Sequence, residues 1–117
     1  MKPEYGASNH MAKVLLAMMS HDPSSRASMN VRYDQRMRRA LWKMKLKPIL
    51  LEDSEVKSES EMIGSLNSAL RRAAGPVAAV VDPGAPGLEP GLYLFAHDAE
   101  RVVQLGLRIA RTYAAEP

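Results

Sequence analysis

One uninterrupted apolar run, residues 77–81, constrains the fold of this chain more than any other stretch. It reads VAAVV and lies between Gly75-Pro76 and a segment rich in Gly and Pro. A short run without a polar residue is typical of a strand that is buried on both faces. Such a strand needs packed layers above and below the sheet. The sequence therefore predicts helices on both sides of it.

The rest of the chain supplies the remaining layers. Apolar residues at helical spacing predict four helices, and short extended runs predict three more strands. Good N-cap residues begin the helices: Ser8 or Asn9 for the first, then Asp34, Ser58 and Asp98. The predicted helices cover about 10–20, 34–45, 58–73 and 98–113, and the strands 27–32, 47–51, 77–81 and 92–96. This order, α-β-α-β-α-β-β-α, predicts a single α/β domain over residues 1–117, with helices covering a central sheet of at least four strands.

Composition excludes several classes of protein. The 117 residues include no Cys, so a disulfide framework and a thiolate metal site are both excluded. No apolar run approaches the ~20 residues that cross a bilayer, and the first ten residues have no apolar leader segment. We therefore expect a cytoplasmic protein without membrane contact. The three histidines, His10, His21 and His97, follow no metal-ligand spacing, so no metal site is expected.

Charge is distributed unevenly along the chain. The formal net charge is +3, with basic residues concentrated in 26–47 and acidic residues in 52–61. A basic surface can bind nucleic acid, bind an anionic small molecule, or simply be solvated. Nucleic-acid binding ranks behind the other two for a domain of this size. For the basic helix that carries Trp42, the favoured interpretation is a solvated face beside a core stripe.

The first candidate site is the segment Gly6-Ala7-Ser8-Asn9-His10. A turn of small residues that leads into a helix presents free backbone N–H groups, which suit an anion or a leaving group. His10 could then act as an acid or a hydrogen-bond donor. The alternative is a plain helix cap with an exposed histidine.

The second candidate site lies on the strand of residues 27–32. Alternation places Asn30 and Arg32 on one face and Val31 on the other. Two forked polar groups on one strand face suit a phosphate or the edge of a pyrimidine. The alternative is an ion pair between Arg32 and the acidic segment 52–61.

The third candidate is the loop of residues 82–90, DPGAPGLEP. It is longer than a hairpin needs, and long ordered loops are often functional. It does not have the Lys-Ser/Thr ending of a phosphate-binding P-loop. A structural Ω-like connection is the equal alternative.

Several of these segments together resemble a known family. Tyr5-Gly6-Ala7-Ser8-Asn9-His10, the later His21-Asp22-Pro23, and Met29-Asn30-Val31-Arg32-Tyr33 are similar to the motifs of the ThiN-type thiamine-phosphate synthase domain. The strand, loop and closing helix of residues 77–109 are similar as well. The resemblance covers about residues 3–113.

The resemblance implies a fold and an activity. The fold is a three-layer αβα arrangement with a mixed sheet, like that of the class II aldolases. The activity joins hydroxymethylpyrimidine diphosphate to thiazole phosphate and releases pyrophosphate, with Mg²⁺ possible beside the diphosphate and no other cofactor. His10 matches the motif histidine that matters for synthesis, and Asn30 and Arg32 match the strand motif. Other positions implied for ligand or phosphate binding are Gly6, Ala7, Ser8, Asp82, Gly84, Gly87 and Glu89.

Departures from the family pattern modify the expected function. The chain has almost nothing before its GAS-x-H motif, and Pro83, Ala85 and Leu88 stand in the loop where the family has charged residues. We therefore expect a domain that binds thiamine phosphate or its precursors, either as a sensor or with weakened catalysis, and an active synthase is the alternative. ThiN-like domains of archaeal regulators are fused to a helix-turn-helix module, which this chain does not carry, so contact with DNA is expected only through such a module. A homodimer is also expected.

Overall fold

Four helices and four strands make up the described part of the chain. The computed structural model describes residues 5–52, 58–87 and 89–117, and side chains from Asn9 onwards within those ranges. The helices are α1 (Tyr5–His21), α2 (Gln35–Lys43), α3 (Glu59–Arg72) and α4 (Ala99–Ala115). The strands are β1 (Ala27–Arg32), β2 (Ile49–Leu50), β3 (Ala79–Asp82) and β4 (Gly91–Ala96). The predicted order of elements is confirmed.

The strands form one mixed sheet in the order β1-β4-β3-β2. β4 runs antiparallel to both of its neighbours, whereas β2 and β3 are parallel. The sheet therefore has β1 and β2 at its edges and the two most buried strands, β3 and β4, at its centre. The predicted α/β class with a mixed sheet of four strands is confirmed.

Helices cover the two faces of the sheet in pairs. On one face, α1 and α3 pack on Val80, Tyr93 and Phe95. On the other, α2 and α4 pack on the alternate residues Ala79, Val81, Leu92 and Leu94. β3 is buried from both sides, with Ala79, Val80 and Val81 each at most 2% exposed. The run of residues 77–81 thus contributes a doubly buried strand, as predicted.

Three of the predicted helix caps are confirmed, and one is wrong. The side chains of Asp34, Ser58 and Asp98 each accept a hydrogen bond from the backbone N–H three residues later. The first helix, in contrast, begins at Tyr5 rather than after Ser8 or Asn9. The small residues 6–8 therefore form the first turn of the helix instead of a turn that leads into it.

β2 is shorter than the predicted strand of residues 47–51. Only Ile49 and Leu50 pair with β3. Proline has no N–H to donate, so Pro48 limits the pairing at the start of this edge strand.

The basic helix α2 is partly solvated and partly bound to the end of the chain. Its Trp42 is 81% exposed, while Leu41 on the other side is buried. The Arg36 guanidinium lies 4.5 Å from the centre of the Tyr113 ring. Arg39 and Lys43 pair with the buried Glu116 at 3.3 and 2.6 Å. The predicted core stripe is confirmed, but three of the basic side chains have protein partners rather than water alone.

Helix length and polarity bear on membrane contact. Among the described residues, no helix has the length and apolar character needed to span a bilayer.

Candidate functional site

A row of three residues crosses the sheet beside the α1–α3 layer. Arg32 of β1 pairs with Gly91 of β4, and Gly91 pairs with Asp82 of β3. Directly paired residues point to the same face of a sheet, so a cation and an anion flank a position that has no side chain. We call this gap at Gly91 the glycine notch.

A second row lies two residues further into the sheet, on the same face. It consists of Asn30, Tyr93 and Val80. A Cβ atom built on Gly91 would lie 3.3 Å from Oδ1 of Asn30, so the Asn30 amide extends over the glycine notch. Asn30 and Arg32 are both exposed, whereas Val31 packs on the opposite core. The predicted alternation of this strand is confirmed.

His10 of α1 lies over the same face of the sheet and contacts both α3 and β4. Its Nδ1 atom is 3.0 Å from Oε2 of Glu59, and its Nε2 atom is 2.8 Å from the Tyr93 hydroxyl. The ammonium of Lys13, one turn later on α1, donates to Oε1 of Glu59 at 2.5 Å. We call these four residues the His10 network. The alternative of an exposed, unengaged histidine is wrong, since the His10 side chain is only 26% exposed and bonded at both nitrogens.

Electrostatics in the network follow from these contacts. Hydrogen bonds from Lys13 and then from His10 hold the pKa of the Glu59 carboxyl below its usual range, so Glu59 is an anion at neutral pH. Burial, with a smaller contribution from the charge of Asp82, raises the pKa of Tyr93 to about 12. Tyr93 therefore keeps its proton. The charge of Asp82 at the glycine notch therefore acts on Tyr93 of the His10 network.

The hydrogen-bond partners of His10 determine which of its ring nitrogens carries the hydrogen. An ionised carboxylate only accepts hydrogen bonds, so Nδ1 of His10 must donate to Glu59. In the neutral imidazole Nε2 is then an acceptor, and the Tyr93 hydroxyl donates to it. Glu59 thereby fixes both the tautomer and the orientation of the ring.

The loop of residues 82–90 leaves the sheet at the glycine notch. The backbone N–H of Gly84 donates to Oδ1 of Asp82 at 3.0 Å, which turns the chain immediately after β3. Gly84 and Gly87 have φ values of 80° and 81°, a region that other residues rarely adopt. Both glycines thus serve the turn itself. Glu89 is exposed, and Leu88 lies outside the described residues.

The first turn of α1 contains Gly6, Ala7 and Ser8. The N–H groups of the first three residues of a helix have no acceptor within it, so those of Gly6 and Ala7 are available to an anion. His10 of α1 and Glu59 of α3 meet near the beginnings of their helices. The positive ends of two helix dipoles therefore point towards this side of the sheet.

The structure brings four of the ten predicted site residues to one face of the sheet. His10, Asn30, Arg32 and Asp82 surround one face of β4. Arg32 also lies within electrostatic reach of the Asp34 carboxylate. Its alternative partner, the acidic segment, includes residues 53–57, which lie outside the described residues. In the part of the chain that the structure describes, no cluster of three or more His, Cys, Asp or Glu side chains could hold a metal ion.

Sequence reasoning missed four residues of the candidate site: Lys13, Glu59, Gly91 and Tyr93. Tyr93 lies in the predicted strand of residues 92–96, and its hydroxyl reaches His10 only through the packing of α1 on the sheet. Glu59 lies beside the predicted cap residue Ser58 and could be suspected as an acid in a first helical turn. Gly91 could be suspected as a glycine at a strand start, but its role depends on the register with Arg32 and Asp82.

Comparison with known proteins decides the family. The profile of the family described as thiamine-phosphate synthase ThiN matches residues 1–107. The chain belongs to the ThiN family. It is a ThiN thiamine-phosphate synthase-like domain of thiamine biosynthesis, as the motifs around His10 and Arg32 predict.

Two curated relatives and one solved structure show how far the similarity extends. The chain is 32% identical over 120 residues to thiamine-phosphate synthase ThiN of Methanothermobacter thermautotrophicus, which covers 95% of this chain and 62% of the relative. It is 30% identical over 101 residues to the bifunctional thiamine biosynthesis protein ThiDN of Methanocaldococcus jannaschii, which covers 86% of this chain and 24% of that protein. The crystal structure of the C-terminal domain of a phosphomethylpyrimidine kinase superposes with a TM-score of 0.68 at 22% identity, over 93% of this chain and 63% of that one.

The chain thus spans less than two thirds of the length of the curated ThiN relatives it matches. The solved structure supports the α/β fold with helices on a mixed sheet. The further likeness to class II aldolases stays a prediction.

Proposed function

We propose that this ThiN domain binds thiamine phosphate, or one of its phosphorylated precursors, at the glycine notch. The observation that carries the proposal is the row Arg32–Gly91–Asp82 beside the Asn30 amide. A position without a side chain, flanked by a guanidinium and covered by an amide, can admit a flat polar ring or a phosphate.

Arg32 is the residue to which we assign the phosphate. A guanidinium offers paired donors that match phosphate oxygens, and the first-turn amides of α1 can add further donors. Asn30 can both donate to and accept from the edge of an aminopyrimidine. Gly84 and Gly87 shape the loop at the rim, where Glu89 is exposed.

A second candidate function is synthesis of thiamine phosphate, and the His10 network favours it. A histidine held at both nitrogens by a carboxylate and a tyrosine hydroxyl is oriented for proton transfer. For a diphosphate substrate, Mg²⁺ is usually held by one or two carboxylates together with the phosphate oxygens. Asp82 is the carboxylate at the glycine notch that could serve, and Mg²⁺ would there neutralise the charge of the leaving pyrophosphate.

Native mass spectrometry tests both functions in one experiment. The protein is incubated with hydroxymethylpyrimidine diphosphate, thiazole phosphate and Mg²⁺, beside a protein-free control. A retained mass of thiamine phosphate or a precursor establishes binding. Thiamine phosphate formed in solution above the control establishes synthesis.

Two variants separate a site at the glycine notch from a site elsewhere. Arg32→Ala should remove the retained mass, whereas Arg38→Ala, which deletes an exposed guanidinium on α2, should leave it. Retention of ligand by Arg32→Ala at the wild-type level would contradict the assigned site. The same spectra report the ratio of monomer to dimer, which tests the expected homodimer.

A further inference from the structure

The His10 network connects the surface of α3 to a buried hydroxyl. Lys13 and His10 each bond one oxygen of Glu59, and His10 reaches Tyr93 on its other side. Tyr93 is 5% exposed and lies two residues from Gly91 on the same strand face. Its hydroxyl is therefore the end of the network that is nearest to the ligand position proposed above.

The hydrogen-bond donors of the His10 network can be arranged in two ways, one with a neutral and one with a protonated imidazole. With a neutral imidazole, the single hydroxyl proton of Tyr93 points to Nε2 of His10, so the Tyr93 oxygen can only accept a hydrogen bond from a ligand. With a protonated imidazole, Nε2 donates to the Tyr93 oxygen instead. The hydroxyl proton is then free to turn towards the glycine notch.

We propose that a phosphorylated ligand binds this site together with one proton, which His10 takes up, and that Tyr93 then donates its hydroxyl proton as a hydrogen bond to the ligand. Glu59 is the positioning residue, because its carboxylate holds Nδ1 and balances the charge of the imidazolium. The inference rests on the proposed function, and it adds two residues and a proton to that function. No covalent bond forms or breaks in this step.

Among the residues that the structure describes, charged groups around His10 lie on four elements: α1, α3, β1 and β3. Glu59 of α3 favours the imidazolium, and Lys13 of α1 opposes it but is itself held by Glu59. Asp82 of β3 acts on the Tyr93 hydroxyl, and Arg32 of β1 lies at the far side of the glycine notch. A dianionic phosphate at the notch adds negative charge on the side that Glu59 does not cover. Its arrival therefore favours proton uptake.

Isothermal titration calorimetry with thiamine phosphate tests the proposal. The binding enthalpy is measured at pH 7 and pH 8 in buffers of different ionisation enthalpy, and the slope gives the number of protons taken up. We expect a positive number of protons at both pH values, and an affinity that falls from pH 7 to pH 8. A slope of zero at both values would overturn the proposal.

Matched variants identify the residues. Tyr93→Phe and Glu59→Gln should each lower the number of protons taken up at least twofold. Glu61→Gln is the control for Glu59, because it removes the same charge from the same exposed turn of α3. Tyr33→Phe is the control for Tyr93, because it removes the hydroxyl from a tyrosine whose ring packs on the opposite core. Equal proton numbers in Glu59→Gln and Glu61→Gln would overturn the role of Glu59.

Nuclear magnetic resonance of the His10 ring keeps the test independent of thiamine phosphate binding. If thiamine phosphate does not bind, the proposed function fails, and inorganic phosphate becomes the probe. The coupling is supported if phosphate moves the ¹⁵N chemical shifts of the His10 ring towards those of an imidazolium and if this change is lost in Tyr93→Phe. No such change would overturn it.

Discussion

The Nε2 atom of His10 lies 2.8 Å from the hydroxyl of Tyr93, although the two residues are 83 positions apart in the chain. One belongs to the first helix and the other to a central strand. Their contact ties the motif histidine of the ThiN family to a residue that no motif singled out.

Replacing His10 separates binding from catalysis. His10→Ala removes the group that could transfer a proton, so any thiamine phosphate synthesis should fall by at least about a hundredfold. Ligand affinity should fall less than about tenfold, because Arg32 still holds the phosphate. Turnover and calorimetry on the same preparation measure the two effects. Equal losses of turnover and affinity would mean that His10 mainly binds ligand.

Replacing Arg32 removes the phosphate contact. Charge-assisted hydrogen bonds contribute about 1.5–3 kcal/mol each, so Arg32→Ala should weaken thiamine phosphate binding by about ten- to a hundredfold. Arg32 is exposed at the end of an edge strand, so thermal stability should change little. Arg38→Ala on α2 is the control and should bind normally. Unchanged affinity in Arg32→Ala would refute the assignment of the phosphate.

Filling the glycine notch is the sharpest test of its location. In Gly91→Ala the new methyl group would lie 3.3 Å from Oδ1 of Asn30 and project into the space assigned to the ligand. We expect at least about a tenfold loss of affinity and a change in the free energy of unfolding below about 1 kcal/mol.

Gly64→Ala is the matched control for the glycine notch. Its Cβ atom would meet nothing within 4 Å, on a helix. Binding should be unchanged and stability should rise by about 0.5–1 kcal/mol, the usual gain in a helix interior. If Gly91→Ala also bound normally, the ligand site would have to lie elsewhere.

Asp34 makes the acid stability of the domain depend on one carboxylate. It caps α2 at Met37 N and accepts from the Tyr113 hydroxyl, both at 2.8 Å. These two hydrogen bonds hold the pKa of Asp34 below its usual range. Stability from this group is therefore present above the unfolded pKa near 3.8 and is lost as the pH falls through the folded value.

Two substitutions at Asp34 check this account by chemical denaturation across acidic pH. Asp34→Ala should lower the free energy of unfolding at pH 7 by about 1–2 kcal/mol, because a cap and a tertiary contact are lost. Asp34→Asn keeps a good cap residue and should lose less. Its stability should also fall less steeply than that of the wild type below pH 4. An unchanged acid dependence in Asp34→Asn would contradict the role of the charge.

Local signals predicted much of the fold. The bounds of β1 and the caps Asp34, Ser58 and Asp98 follow from residues that act on their immediate neighbours. The predicted start of α1 was wrong because Gly6 and Ser8 suit a turn and a first helical turn equally well. The predicted β2 was too long because apolar character alone does not reveal how many residues pair with a neighbouring strand.

Only part of the candidate site could be predicted, because local patterns do not show which distant residues meet. Asn30 and Arg32 follow from alternation within one strand, and His10 follows from its motif. Glu59, Gly91 and Tyr93 join the candidate site only through the register of β1 with β4 and the packing of α1 on α3. Those relationships join distant parts of the chain, which local patterns do not encode.

The wide separation of the site residues along the chain also determines when the site can exist. Its members come from α1, β1, α3, β3 and β4, so it is complete only after nearly the whole domain has assembled. A ligand that needs all of them cannot stabilise a partly assembled chain. Saturating thiamine phosphate should therefore lower the unfolding rate constant and leave the refolding rate constant unchanged.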